Sequence, residues 1–189
     1  MAGQEPEEAP IVTLLTVGHG TASQDELTEL LTGGGVGLVV DVRRFPGSRR
    51  HPHVATDRLE RWLPAAAVAY RWEPRLGGRR RVPPDERDAD PWWRVEAFRA
   101  YAAYTRTEEF REAMDGLLTE VSARADASTA VMCSESLWWR CHRRLIADVA
   151  VLLHGVPVLH LWHDGRRTEH VPAAGARVTP DGLRYDGDR

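Results

Sequence analysis

Residues 127–162 read ASTAVMCSESLWWRCHRRLIADVAVLLHGVPVLHLW, and the order of elements in this stretch decides the fold. The apolar run over 127–133 ends on Cys133 and predicts a buried strand. A polar loop, 134–140, follows it. From 141 to 153 the residues Leu145, Ile146, Val149 and Leu152 recur at helical spacing, which predicts a helix with one apolar face, ended by Gly155. Residues 156–162 then predict another strand. Strand, loop, helix and strand in so short a span form a crossover unit between parallel strands.

The same alternation extends toward the N-terminus. IVTLLTVGHG, from Ile11, is a short apolar run closed by glycines, with His19 at its carboxyl end. Ser23 and Glu26 have the spacing of a capping box, and Leu27, Leu30 and Leu31 give the apolar stripe of a first helix. Residues 36–41 are continuously apolar up to Asp41, as suits a strand covered on both faces. The segment FPGSRRHPHV, 45–54, is too rich in Pro, Gly and Arg for regular structure. Thr56 with Leu59, Trp62 and Leu63 suggests a short capped helix. A third strand is expected over 68–72, an irregular stretch to about residue 91, and helices over 95–104 and from Thr107. Together these elements predict an α/β fold with a mainly parallel sheet flanked by helices on both faces. One domain is expected over 11–163, after a flexible tail over 1–10 and before a hairpin or partly disordered tail over 164–189.

Composition narrows the chemistry. All 25 basic residues are arginine, so lysine Schiff-base and lysine general-base chemistry are excluded. The net charge of −3 gives no global attraction to nucleic acid or to an anionic membrane, so any anion site must be local. Two cysteines make no disulfide framework, and the first dozen residues are acidic rather than a basic stretch leading into an apolar one. The apolar runs fall well short of the roughly 20 residues a membrane helix needs. A cytoplasmic protein without a membrane partner is expected.

Folds of this kind place ligands beyond the carboxyl ends of their strands. His19, Asp41 with Arg43, and Cys133 with Glu135 each follow a separate strand there. Cys133 precedes a helix whose dipole and N–H groups favour a thiolate, although a cysteine ending an apolar strand also suits plain core packing. Cys141 either packs inward or pairs with Cys133, and His142 and Arg143 follow it at the helix start. As metal ligands, Cys133, Cys141 and His142 are suitable types, but their spacing matches neither CxxC nor HExxH. Arg140, Arg143 and Arg144 form either a local anion site or a solvated helix end. Asp41 either pairs with an arginine or acts as acid or base. Arg49, Arg50, His51, His53 and residues 79–81 carry basic charge near Trp72, Trp92, Trp93, Trp138 and Trp139 in sequence. Such loops hold a nucleotide or single strand, or else the tryptophans are ordinary core.

TVGHG, DVRRFPGSRR, RLGGRR, FRAYAAYTRTEEF and VMCSESLWWRCHRRLIADV occur in the order found in the domain-of-unknown-function 488 family. The chain resembles that family from about Thr13 to Leu161. The resemblance implies an α/β domain with a polar site built from these segments, and no established reaction. Position by position, its pattern falls on Gly18 and His19, on Asp41, Arg43 and Pro46, on Ser48 and Arg49, on Gly77 and Gly78, and on Cys133, Glu135, Cys141, His142 and Arg143. The family commonly has serine or asparagine after its first histidine. Here Gly20 and Thr21 stand there, so a hydroxyl role would shift to Thr21. The cysteine loop also looks superficially similar to those of rhodanese-like sulfurtransferases and cysteine phosphatases, but SESLWWRCHRR lacks their compact glycine-containing cradle.

The expectation is therefore an enzyme acting on a small anionic or nucleotide-like substrate, with Cys133 as nucleophile or redox thiol. Glu135, His142, Asp41 and His19 are its acid or base candidates, and Arg43, Arg49, Gly77, Gly78, Arg143 and Thr21 its substrate contacts. Nothing in the sequence requires a cofactor. Two competing readings are a non-catalytic nucleic-acid or nucleotide-binding module and a metal-dependent hydrolase.

Overall fold

The first apolar run becomes β1 (Leu14–Gly18), buried along its whole length. A computed structural model describes residues 12–47, 49–124 and 126–187; the tail expected over 1–10, and Ser48, lie outside the described residues. Helix α1 (Gln24–Gly33) starts with the anticipated capping box: Glu26 N donates to Ser23 Oγ at 3.2 Å, and Ser23 N to Glu26 Oε2 at 2.7 Å. Two N–H groups that a helix start leaves orphaned are thereby satisfied. There follow β2 (Val36–Asp41), α2 (Thr56–Ala65) and β3 (Ala69–Trp72). Next come α3 (Glu96–Thr105) and α4 (Glu108–Ser122), the latter capped by Thr107 Oγ1, which accepts from Phe110 N at 3.3 Å. β4 (Ser128–Cys133), α5 (Arg143–His154) and β5 (Val158–Leu161) form the crossover unit. Gly155 ends α5 with φ 65°, a left-handed conformation that costs glycine little. β6 (Arg167–Glu169), β7 (Ala176–Thr179) and β8 (Gly182–Tyr185) complete the chain.

The main sheet has the order β3-β2-β4-β1-β5-β6. Its first five strands are parallel, and β6 runs antiparallel to β5. Alternate side chains divide between two cores. Leu14, Val40, Val131 and Val158 pack with Tyr101, Phe110, Leu117 and Ile146 from α3, α4 and α5. Leu15, Val17, Val39 and Met132 pack with Leu27 and Leu31 of α1 and Leu59 and Leu63 of α2. Each of these leucines, fully buried, contributes about 1.5–3 kcal/mol, so the helices are fixed mainly by the faces they bury. The fold is mixed α/β with helices on both faces of a mainly parallel sheet.

This topology positions one crevice. β1 and β2 feed α1 and α2 on one face, while β4, lying between them, feeds α5 on the other. Neighbouring strands thus hand the chain to opposite faces, and a gap opens at the carboxyl end of β4.

Three details differ from the sequence pattern. Thr56 does not cap α2; Ala55 holds the cap position without a side-chain bond. Helix α5 begins at Arg143 rather than at 141. Residues Trp138–Arg140 form a single 3-10 turn, closed by Cys141 N donating to Trp138 O at 3.1 Å, which leaves Cys141 extended. β6 is only three residues long and too short to show a period. Among the described residues, no helix is long and apolar enough to cross a membrane.

Candidate active site

Cys133 ends β4 and Cys141 ends the 3-10 turn before α5, so the loop between them returns the second thiol to the first. Both are free thiols, only 7 % and 5 % exposed. His142 Nδ1 lies 3.5 Å from Cys141 Sγ and 3.9 Å from Cys133 Sγ, while Nε2 faces Val42 O at 3.3 Å. Donation to that carbonyl places the proton on Nε2 and turns the Nδ1 lone pair toward the two sulfurs. Tyr101 packs on the ring at 5.0 Å between centroids. Gly78 lies against it, where a Cβ would come within 3.0 Å of Nδ1.

The two thiols are unequal. The hydrogen bond to Cys141, together with burial, pushes the Cys133 thiol up. Burial pushes the Cys141 thiol up as well, but the hydrogen bond from Cys133 and the charge and N–H of Arg143 outweigh it and pull it down. These surroundings favour the thiolate form at Cys141 over Cys133. The sequence pattern had pointed to Cys133.

Arg143 is 1 % exposed, and its Nη2 donates to Glu135 O. Gly18 meets the same carbonyl, so a side chain there would collide with Glu135. The loop after β4 is thus held between β1 and the start of α5. Its Glu135 carboxylate is exposed and accepts from Leu137 N at 3.2 Å.

At the end of β2, Asp41 and Arg43 form a buried pair, 0 % and 6 % exposed. Asp41 Oδ1 accepts from Arg43 N at 3.1 Å and Nε at 2.8 Å; Oδ2 accepts from Arg43 Nη2 at 2.6 Å and the Tyr70 hydroxyl at 2.9 Å. These contacts occupy the carboxylate and aim the guanidinium. Arg43 Nη1 lies 3.3 Å from His19 Nε2, and His19 Nδ1 lies 3.0 Å from Gly20 O. Burial, then the Arg43 charge, lowers the His19 pKa to about 4, so the imidazole is neutral at physiological pH.

A cavity of about 480 Å³ opens over these groups. Cys133, Cys141 and His142 line it from β4 and α5, His19, Gly20 and Arg43 from β1 and β2, and Arg44, Arg79, Arg140 and Glu135 from the loops. This volume suits a small ligand. The side-chain donors Cys133 Sγ, Cys141 Sγ and a His142 nitrogen lie within 4.8 Å of one another, a set that suits zinc in chemical type.

The family model described as domain of unknown function DUF488 matches residues 23–150. The chain belongs to this family. No curated protein and no solved structure matches the chain. The DUF488 match spans α1 through most of α5, whereas Gly18, His19 and β5 lie outside it. Of the sequence-predicted residues, the DUF488 fold brings His19, Arg43, Gly78, Cys133, Glu135 and His142 to the cavity. Asp41 and Arg143 stand behind it as partners of Arg43 and of the Glu135 carbonyl. Gly77 packs on the Arg44 backbone, and exposed Thr21 and Arg49 lie outside the cavity lining. Phe98 and Tyr101 also line it. Sequence reasoning missed them because an aromatic pair at i and i+3 of a helix reads as core packing.

Proposed function

We propose that this DUF488 domain is a cysteine-dependent transferase or hydrolase acting on a small anionic or nucleotide-like substrate held in the 480 Å³ cavity. The observation that carries this reading is a thiol pair with one activated member, Cys141, at the base of a cavity bordered by Arg43, Arg44, Arg79 and Arg140. A thiolate is the reactive nucleophilic form of cysteine, and guanidinium groups recognise carboxylate or phosphate. Cys141 attacks the electrophilic centre, and its sulfur takes the bond that the leaving group gives up. The leaving group receives the Cys133 thiol proton, and in hydrolysis a water deprotonated by Glu135 releases the product. Arg43, aimed by Asp41, binds the anionic group. In a cytoplasmic, reducing setting both thiols stay available.

The test is the pH dependence of thiol alkylation, resolved by peptide mass spectrometry. Cys141 is expected to react well below pH 8, Cys133 more slowly, and inorganic phosphate is expected to protect Cys141. Two thiols of equal reactivity above pH 8, unaffected by phosphate, would refute the proposal.

The metal-dependent hydrolase reading is favoured by one feature, the His142 imidazole held through Nε2 with Nδ1 toward two sulfurs. A backbone carbonyl on the far ring nitrogen orients metal-binding histidines in this way. Stoichiometric zinc in the purified protein, with thiols that react only after chelation, would favour it over the thiolate mechanism.

A further inference from the structure

Most buried or half-buried arginines in this chain have carboxylate partners. Arg43 has Asp41, Arg71 has Glu73 and Glu120, and Arg106 has Glu86 and Asp90. Beside the cavity lies a group of three solvent-exposed arginines. Among the described residues, Arg44, Arg79 and Arg81 form no salt bridge, although the chain carries 28 acidic residues against 25 basic ones. These three line a second depression of about 560 Å³, and Arg44, Phe45 and Arg79 border both it and the cavity, so the two are continuous.

Phe45 lines both depressions and is 64 % exposed, with the Arg44 and Arg79 guanidinium carbons 5.6 and 5.9 Å from its ring centroid. The surrounding backbone is held firmly. Arg80 donates to the carbonyls of Gly77, Pro74 and Arg75 at 2.9–3.1 Å, and its guanidinium lies 3.6 Å over Tyr104. Arg44 Nη1 donates to Arg79 O at 2.9 Å, and Arg79 itself takes φ 58°, a conformation unfavourable for a residue with a side chain. The fold thus spends hydrogen bonds on gathering like charges around an exposed ring.

We propose that this groove binds single-stranded nucleic acid, one base stacking on Phe45 and neighbouring phosphates meeting Arg44, Arg79 and Arg81. Uncompensated guanidiniums interleaved with an exposed aromatic face match a polymer that alternates anions and π-faces. A duplex keeps its bases stacked and leaves no face for Phe45. With a net charge of −3 attraction for a strand is local rather than global, and the shared Arg44, Phe45 and Arg79 lead it toward the cavity mouth.

The proposal is independent of the thiol chemistry and is tested on the full chain by fluorescence anisotropy with a labelled oligothymidylate. The strand is expected to bind more tightly than a duplex of equal length. Three phosphate contacts give a slope of log K against log salt of about −2, at roughly 0.7 per contact on a single strand. Phe45→Ala is expected to weaken binding about fivefold or more, and Phe45→Trp to preserve it. Arg81→Ala is expected to flatten the slope by about 0.7. Circular dichroism of each variant separates lost binding from lost fold. Absence of binding would overturn the proposal, as would duplex, polyphosphate or polyglutamate binding equally well, or an affinity indifferent to Phe45→Ala. Cys141 alkylation measured on the same samples without nucleic acid tests the thiol mechanism separately.

Discussion

Asp41→Asn removes one charge from the buried pair at the end of β2 and leaves its volume unchanged. Asp41 accepts two bonds on each oxygen, three from Arg43 and one from Tyr70. An amide keeps one acceptor and turns an NH2 toward groups that are themselves donors. Arg43 is then a buried guanidinium without a counter-ion, and breaking one side of a buried pair costs about 3–5 kcal/mol. For a chain of this size that is a fall in Tm of roughly 6–20 °C. Urea unfolding followed by tryptophan fluorescence and by circular dichroism measures it, and an unchanged m-value shows that stability alone moved. Arg43→Met combined with Asp41→Asn is expected to be less harmful than the sum of the single changes, by about 1–3 kcal/mol. A loss below about 1 kcal/mol for Asp41→Asn, or strict additivity, would refute the claim that this pair is dry and mutually dependent.

Acid should destabilise the protein through its buried imidazoles. His19 and His160 have folded pKa values of about 4 and about 3, each lowered first by burial, against an unfolded value near 6.5. The unfolded chain therefore binds more protons, and stability is complete above pH 6.5 and falls as pH drops toward 4, by up to about 3 kcal/mol per group. His19→Asn should reduce the slope of unfolding free energy against pH in that window and leave the slope above pH 7 unchanged, as read by urea melts across pH. Arg143→Gln should raise the pH at which Cys141 alkylates, because the charge beside the thiolate is lost; an unchanged alkylation profile would remove Arg143 from the explanation of that thiol.

Periodicity made the layered fold legible. The leucines of α1, the Ser23 and Glu26 cap and the strand ending at Cys133 all report local requirements that three or four neighbouring residues state by themselves. β6 escaped because three residues cannot display a period, and the true start of α5 escaped because Cys141 stays extended after the 3-10 turn, which no local pattern marks. The candidate site was half legible for a related reason. Strand ends could be named from the pattern, but which thiol is activated depends on Arg143, His142 and Cys133 meeting around Cys141, and no spacing rule carries that meeting. Tyr101 and Phe98 were hidden by the same ambiguity, since a residue that floors a cavity and one that fills a core obey one helical period.

The two buried arginines of the site meet the cost of their charge differently within this one chain, and the difference bears on what each can do. Arg43 is neutralised by Asp41, so its remaining donor, Nη1, faces His19 and the cavity without an unpaid desolvation penalty. Arg143 is more deeply buried, yet among the described residues it forms no carboxylate salt bridge; its Nη2 meets only a carbonyl and its Nε finds no acceptor. A guanidinium cannot shed its proton at any physiological pH, so burial must be answered by a nearby anion or by polar contacts. The Cys141 sulfur is the group positioned to answer it. The charge and N–H groups of Arg143 pull the Cys141 thiol down, which ties the acidity of Cys141 to the residue that holds the loop after β4.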